Sequence, residues 1–217
     1  MSSDIKDFTS VIKNFSERYI TETRFIIGLL DTTPIEQMAE IILETRRNGG
    51  RIFFLGVGGS NSNSSHAVND FRKIIGVESY NPLENIAELT ARANDDGFET
   101  VFTEWLRTSK LNYNDILFFL SVGGGSLEKN ISTNLISAIN YGIKQGCKSL
   151  AIVGRDGGYI SKNADVSVIV EPMIAERITP HTEETQSIIL HLLVSHPLLK
   201  ENQTKWESVN EVNNDKK

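Results

Sequence analysis

Two histidines and two carboxylates stand out in this chain by their spacing. His66 and Asp70 lie four residues apart in the helix-like stretch "SSHAVNDF", so both project from one face. Glu183, Ser187 and His191 repeat that interval near the other end, as a polar strip beside Ile188, Ile189, Leu192 and Leu193. Side chains of these types can serve as general acids and bases or hold a metal ion. Two plainer readings stand beside that one. A His/Asp pair at this spacing is a common surface or capping contact, and a histidine among apolar neighbours can be a satisfied core residue. Spacing on two separate helices does not by itself bring the four groups together.

A second kind of chemistry is suggested by two glycine–serine turns. The apolar run "RIFFLG" leads into "GVGGSNSNSSHAVNDF" (56–71), and "DILFFLSV" leads into "SVGGGS" (121–126). A strand, a Gly/Ser turn and a helix in succession point free backbone N–H groups at an anion beyond the strand ends. The glycines let the backbone approach closely, and the hydroxyls of Ser121 and Ser126 can add donors. Dinucleotide binding is excluded because the third glycine of G-x-G-x-x-G is Asn61, and neither turn has the Gly-Lys-Ser/Thr ending of a P-loop. A phosphate on a small molecule fits best, with two unliganded tight turns as the alternative.

The elements that must position these groups follow from periodicity. Apolar residues at helical spacing predict one long helix over 5–30 and a second from Thr33-Pro34 to just before Gly49. Short apolar strands are expected at 51–56, 115–122, 149–154 and 165–171, with a brief one at 77–80. Helices are expected over 62–75, 84–93, 98–108, 126–145 and 182–195, the last stopping at His196-Pro197. Strands alternating with helices imply right-handed crossovers and a parallel sheet covered on both faces. Residues 1–199 read as one domain. The segment 200–217 is too poor in apolar residues to bury itself and is expected to be a disordered tail.

Composition sets outer limits. The chain has 217 residues, 39% hydrophobic and 23% charged, which is ordinary for one globular domain. A net charge of −6 argues against a general nucleic-acid binder, which needs cations for phosphates. The single cysteine, Cys147, leaves no internal disulfide and reads as a small buried hydrophobe. The N-terminus lacks the basic and apolar regions of a signal peptide, and no apolar run approaches the ~18 residues of a membrane span. A cytoplasmic protein is the expectation.

The segments "GVGGSNSNSSHAVND", "TARANDDGFETVF", "SVGGGS", "GRDGGYISKNADVSVIVE" and "EETQSIILH", in that order, resemble the sugar-isomerase (SIS) domain, and specifically the sedoheptulose-7-phosphate (phosphoheptose) isomerases. The resemblance covers roughly residues 30–195. It implies a three-layer α/β/α sandwich around a parallel sheet, flavodoxin-like, with a long N-terminal helix, assembled as a homotetramer with active sites at subunit boundaries. It implies aldose–ketose isomerisation of sedoheptulose 7-phosphate to glycero-manno-heptose 7-phosphate, feeding heptose synthesis for surface polysaccharide. On the matching positions, Asp70 and His191 would be catalytic. Gly58, Gly59, Ser60 and the 121–126 loop (Ser121, Gly123, Gly124, Ser126) would bind the sugar phosphate, and Asn94, Asp95 and Glu183 would also face substrate. Zinc would be held by His66, Asp70, Glu183 and His191.

The chain departs from the family pattern at several of these positions. Val57 stands for an asparagine, Asp70 for a glutamate and Glu183 for a glutamine. "SVGGGS" replaces a hydroxyl-rich loop, and Ile74 occupies the position of a catalytic arginine, with Arg72 and Lys73 adjacent. Two alternatives stay open on these grounds: a non-catalytic sugar-phosphate-binding scaffold or regulator, and an isomerase of another phosphosugar.

Overall fold

The computed structural model describes residues 14–171 and 174–208. Five parallel strands form one sheet in the order β2-β1-β3-β4-β5, with β1 Ile52–Gly56, β2 Ser79–Tyr80, β3 Ile116–Ser121, β4 Lys148–Gly154 and β5 Val166–Val170. All residues of β1 and β3 are buried, so both strands are apolar on both faces rather than alternating. The order reverses between β1 and β3, and the crevice beyond their carboxyl ends is where such sheets bind ligands.

Helices cover both faces. On one side lie α1 Phe15–Gly28, α2 Thr33–Arg47, α3 Gly59–Asp70 and α8 Ile178–Ser195, packed on Ile52, Phe54, Phe118, Leu120 and Ile152. On the other lie α4 Ile86–Asp95, α5 Val101–Thr108, α6 Thr133–Gln145 and α7 Gly158–Asn163, packed on Phe53, Leu55, Leu117, Phe119 and Val153. The alternation of successive strand residues between these two cores is the period-2 geometry of a strand. The expected three-layer α/β/α sandwich is the architecture found, and Cys147 is buried in the second core, its thiol pushed up to about 12 by burial.

Several boundaries differ from the sequence reading, each for a local reason. The helix expected from Ser126 begins only at Thr133. Ser126 and Ile131 instead exchange two backbone hydrogen bonds of 2.9 Å, with Asn130 and Ser132 in the left-handed region, so residues 126–132 make a small hairpin-like excursion. α8 starts at Ile178 rather than 182, because Pro180 sits in its first turn, where a missing N–H costs nothing. α3 starts at Gly59 rather than 62 and widens after Asp70 into a π-helical turn, Phe71–Ile75, closed by Gly76 at φ +72°. Of the long helix expected over 5–30, Phe15–Gly28 is seen, and residues 1–13 lie outside the described part. At the C-terminal end, Leu199 is buried, Glu201 and Asn202 donate backbone N–H groups to the Ile74 carbonyl, and α9 Lys205–Ser208 is a single turn; 209–217 lie outside the described residues.

α1 is fastened to the start of α8 by a buried polar cluster. Glu22, fully buried, accepts two hydrogen bonds from the Arg177 guanidinium (2.8 and 2.9 Å) and lies 3.2 Å from His181 Nε2. Tyr19 stacks on the His181 ring and donates its hydroxyl to Glu184; burial and that bond push the phenol up to about 12. Burial alone would raise the Glu22 carboxyl, but the hydrogen bonds and charges of Arg177 and His181 outweigh it and hold it below its ordinary value. A carboxylate with a depressed folded-state pKa stabilises above its unfolded pKa, and the contribution disappears as pH falls through the folded value. Glu22→Ala, which strands Arg177 and His181, is therefore expected to cost about 3–5 kcal/mol in urea unfolding at neutral pH. The gap between wild type and variant should narrow on acidification below the ordinary glutamate range, and a gap independent of pH would contradict this role for the cluster.

Candidate active site

The site is built where α3 and α8 run side by side. Both leave the carboxyl edge of the sheet, so they are parallel, and their contacts advance together. Near the start of α3, the Glu183 carboxylate lies against Gly59 so closely that a Cβ there would collide with it. One turn on, the Asn63 amide donates to the Glu183 carbonyl (2.8 Å) and to Gln186 Oε1 (3.1 Å). Further along, His66 Nε2 meets His191 Nε2 at 2.9 Å. Gly59, Asn63, His66 and Asp70 thus form one face of α3, at intervals of four, three and four residues.

His66, Asp70 and His191 converge. Asp70 Oδ2 is 3.2 Å from His66 Nε2 and 3.8 Å from His191 Nε2, and the two imidazoles meet edge to face with centroids 5.1 Å apart. The other Asp70 oxygen accepts from the Asn69 amide at 2.8 Å. The two imidazoles are about half exposed, 52% and 54%, while Asp70 is 15% exposed, so neither histidine is a core residue. Two nitrogens 2.9 Å apart can share one proton or one cation between them. One donor atom from each of the three residues lies within 4.8 Å of the others, a possible metal site. Tetrahedral zinc with bonds of about 2.1 Å spaces its ligands by about 3.4 Å, and the three separations here bracket that value.

Glu183 is not part of that trio. It lies eight residues before His191, about 12 Å of helix rise, and its carboxylate lies against Gly59 at the start of α3. Of the four residues that the resemblance implies as ligands, His66, Asp70 and His191 have donor atoms within 4.8 Å of one another. Gly58, at φ +65°, caps α3 and accepts from the Asn61 and Ser62 N–H groups. Asn94 and Asp95 are exposed at the end of α4, bonded to each other at 2.8 Å. Ile74 packs on the core, and Arg72 donates to the Ser79 carbonyl and covers the Tyr80 ring.

A cleft of about 670 Å³ opens beyond the ends of β1, β3 and β4, lined by Val57, Ser60, Ser121, Gly123 and Ser126 among others. Ser121 Oγ accepts from the Gly124 N–H and Ser126 Oγ from the Lys129 N–H, which leaves each hydroxyl proton free for a ligand. Ser60 Oγ is buried with no hydrogen-bond partner among the described residues. The triple glycine has a second duty that spacing does not reveal: it abuts the Gly157-Gly158 turn. The Gly124 and Gly125 carbonyls accept from the Ile160 and Tyr159 N–H groups at 2.8 and 3.0 Å, and a Cβ on Gly124 would run into the Gly157 carbonyl. Asn63 and Gln186, and the cleft cations Lys129, Arg155 and Lys162, were not singled out by sequence reasoning. The 59/63/66/70 periodicity could have found the first.

A doubly wound parallel sheet with this glycine–serine cleft at its switch point defines the class. Residues 19–154 match the SIS domain, and the chain belongs to the SIS-domain family. Phosphoheptose isomerases are among its relatives. That of Chlorobaculum tepidum is 32% identical, over 84% of this chain and 83% of the relative. That of Aliarcobacter butzleri is 27% identical, over 88% and 94%. The solved phosphoheptose isomerase of Neisseria gonorrhoeae superposes with a TM-score of 0.71 at 25% identity, covering 84% of this chain and 98% of that one.

Gly124→Ala combines a left-handed backbone (φ +63°) with a backbone collision, so it is expected to destabilise by about 1–3 kcal/mol in denaturant unfolding. Gly28→Ala, with open space around it at the end of α1, is expected to be neutral or slightly stabilising in the same assay.

Proposed function

We propose that this protein is an aldose–ketose isomerase that converts sedoheptulose 7-phosphate to glycero-manno-heptose 7-phosphate. The observation that carries the reading is the division of labour along α3. Its first turn presents the unpartnered Ser60 hydroxyl to an anion cleft, and six residues later, about 9 Å along the axis, begins a His–Asp–His trio. A sugar phosphate has its phosphate at one end and its carbonyl at the other, and α3 separates the two chemistries in the same way.

In this reading the phosphate sits among Ser60, Ser121, Ser126 and the N–H groups of the 121–126 loop. Asp70, supported by Asn69, removes the carbon-bound proton at C1, and the neighbouring carbon is reprotonated to complete the enediol route. His191 exchanges protons with the sugar oxygens, and His66, 2.9 Å away, fixes which His191 nitrogen carries the proton. His66, Asp70 and His191 also suit zinc, which when bound supplies Lewis acidity toward the carbonyl and the enediolate. Glu183 acts by orientation, holding the α3 and α8 ends together. As a homotetramer in the cytoplasm, the protein would present Asn94 and Asp95, exposed on α4, to a neighbouring subunit's cleft. The product would enter heptose synthesis for surface polysaccharide. Retention of three ionisable groups within contact of one another favours catalysis over a purely binding role.

Turnover of sedoheptulose 7-phosphate by the purified protein tests this. Asp70→Asn and His191→Ala are each expected to lower kcat by at least about 100-fold, with unfolding midpoints close to wild type. Dialysis against a chelator is expected to remove zinc and depress turnover, with recovery on adding zinc. Full activity in Asp70→Asn would overturn the assignment.

A further inference from the structure

The cleft offers two seats for an anion, and the chain itself occupies one. At the start of α3 the Glu183 carboxylate already lies on Gly59, so a second negative group there would meet like charge. The other seat lies between the 121–126 loop and the turn after β4. There the loop contributes "VGGG" between its two serines, with no side-chain donor. Arg155 stands opposite it.

Arg155 has φ +57°, a left-handed backbone that is unfavourable for a residue with a Cβ. Its side chain passes over Gly123, where an added Cβ would touch Arg155 Cδ at 3.6 Å, so the stem lies across the loop. The residue is exposed, and its guanidinium makes no hydrogen bond or ion pair with the described residues, although Glu128 and Asp156 line the same cleft. Lys129 and Lys162 line it too, also with side chains in no ion pair among the described residues, giving three cations against two carboxylates in a chain of net charge −6. The buried, unpartnered Ser60 hydroxyl on the same cleft is an independent sign that a ligand completes it.

We infer that Arg155 is the specificity-determining residue of the cleft: it holds the substrate's phosphate as a bidentate ion pair, replacing the hydroxyls that the glycine loop lacks. A guanidinium matches two phosphate oxygens at once, and Lys129 and Lys162 add attraction at the rim. The strained backbone is kept because it aims the side chain across the loop. This inference rests on the sugar-phosphate reading of the site, but it can be tested apart from turnover.

Inorganic phosphate is titrated into the full-length protein by calorimetry, alongside steady-state kinetics on sedoheptulose 7-phosphate. Arg155→Ala is expected to weaken phosphate binding by at least about tenfold and to raise KM similarly, with kcat moving less than KM. Arg155→Lys should recover part of the loss. Arg155→Gly relieves the left-handed strain, so it should unfold at a higher denaturant midpoint than wild type while binding phosphate as poorly as Arg155→Ala. His191→Ala should bind phosphate like wild type. If turnover on this sugar is absent but the phosphate series behaves as stated, the isomerase reading fails and the role of Arg155 stands. Wild-type phosphate affinity in Arg155→Ala, or no phosphate binding by the wild type, would overturn the inference.

Discussion

The chemistry of this protein depends on one amide. Asn63 donates both of its side-chain hydrogens across the α3–α8 contact, to the Glu183 carbonyl and to the side chain of fully buried Gln186. Gln186 in turn reaches the Ile152 carbonyl of β4 at 3.4 Å, which ties the pair to the sheet. With these groups joined, the two helices can run parallel in only one register. That register sets Glu183 against Gly59 and His191 against His66. A slip of one residue on either helix would turn the facing side chains by about 100° and dissolve the trio.

The rest of the fold holds that register from outside. Apolar packing of Ile189, Leu190 and Leu193 presses α8 onto the core, and the Glu22–Arg177–His181 cluster pins its first turn to α1. On the far side of the cleft, close contact between two glycine turns sets the distance from the 121–126 loop to α7. Apolar strands thus carry two kinds of element, helix starts and glycine turns, to one crevice. In the proposed reading the phosphate seat, between the 121–126 loop and Arg155, is separate from the proton-transfer trio on α3 and α8, so the two functions can vary separately. Asp70 for glutamate and "SVGGGS" for a hydroxyl-rich loop are changes of that independent kind.

Most of the architecture was legible in the sequence, because apolar runs and helical periodicity report burial directly. The strand positions and the parallel sheet follow from short apolar runs alternating with helical patterns, and the pairing of His66 with Asp70 follows from helical spacing. What spacing could not carry was contact between distant segments. That His191 completes the trio while Glu183, on the same strip of α8, turns to Gly59 is a matter of tertiary register. The late start of α6 escaped because Ser126 and Ile131 pair across a turn, and the left-handed residues there, Asn130 within it and Ser132 just after it, are not glycines that would mark them. Arg155 escaped because in sequence it is one cation in the glycine-rich turn "GRDGG", and only the fold lays it across Gly123.

The central claim is that Asp70 and the two histidines move a proton between adjacent carbons of the sugar. The most direct measurement is isomerisation of sedoheptulose 7-phosphate in deuterium oxide, with the aldose product examined by NMR. Asp70, partly exposed beside two half-exposed imidazoles, exchanges its acquired proton with solvent, so deuterium is predicted at C2 of the product. Product carrying only protium at C2 would mean that hydrogen passes directly from C1 to C2, and would contradict a proton-transferring role for the trio.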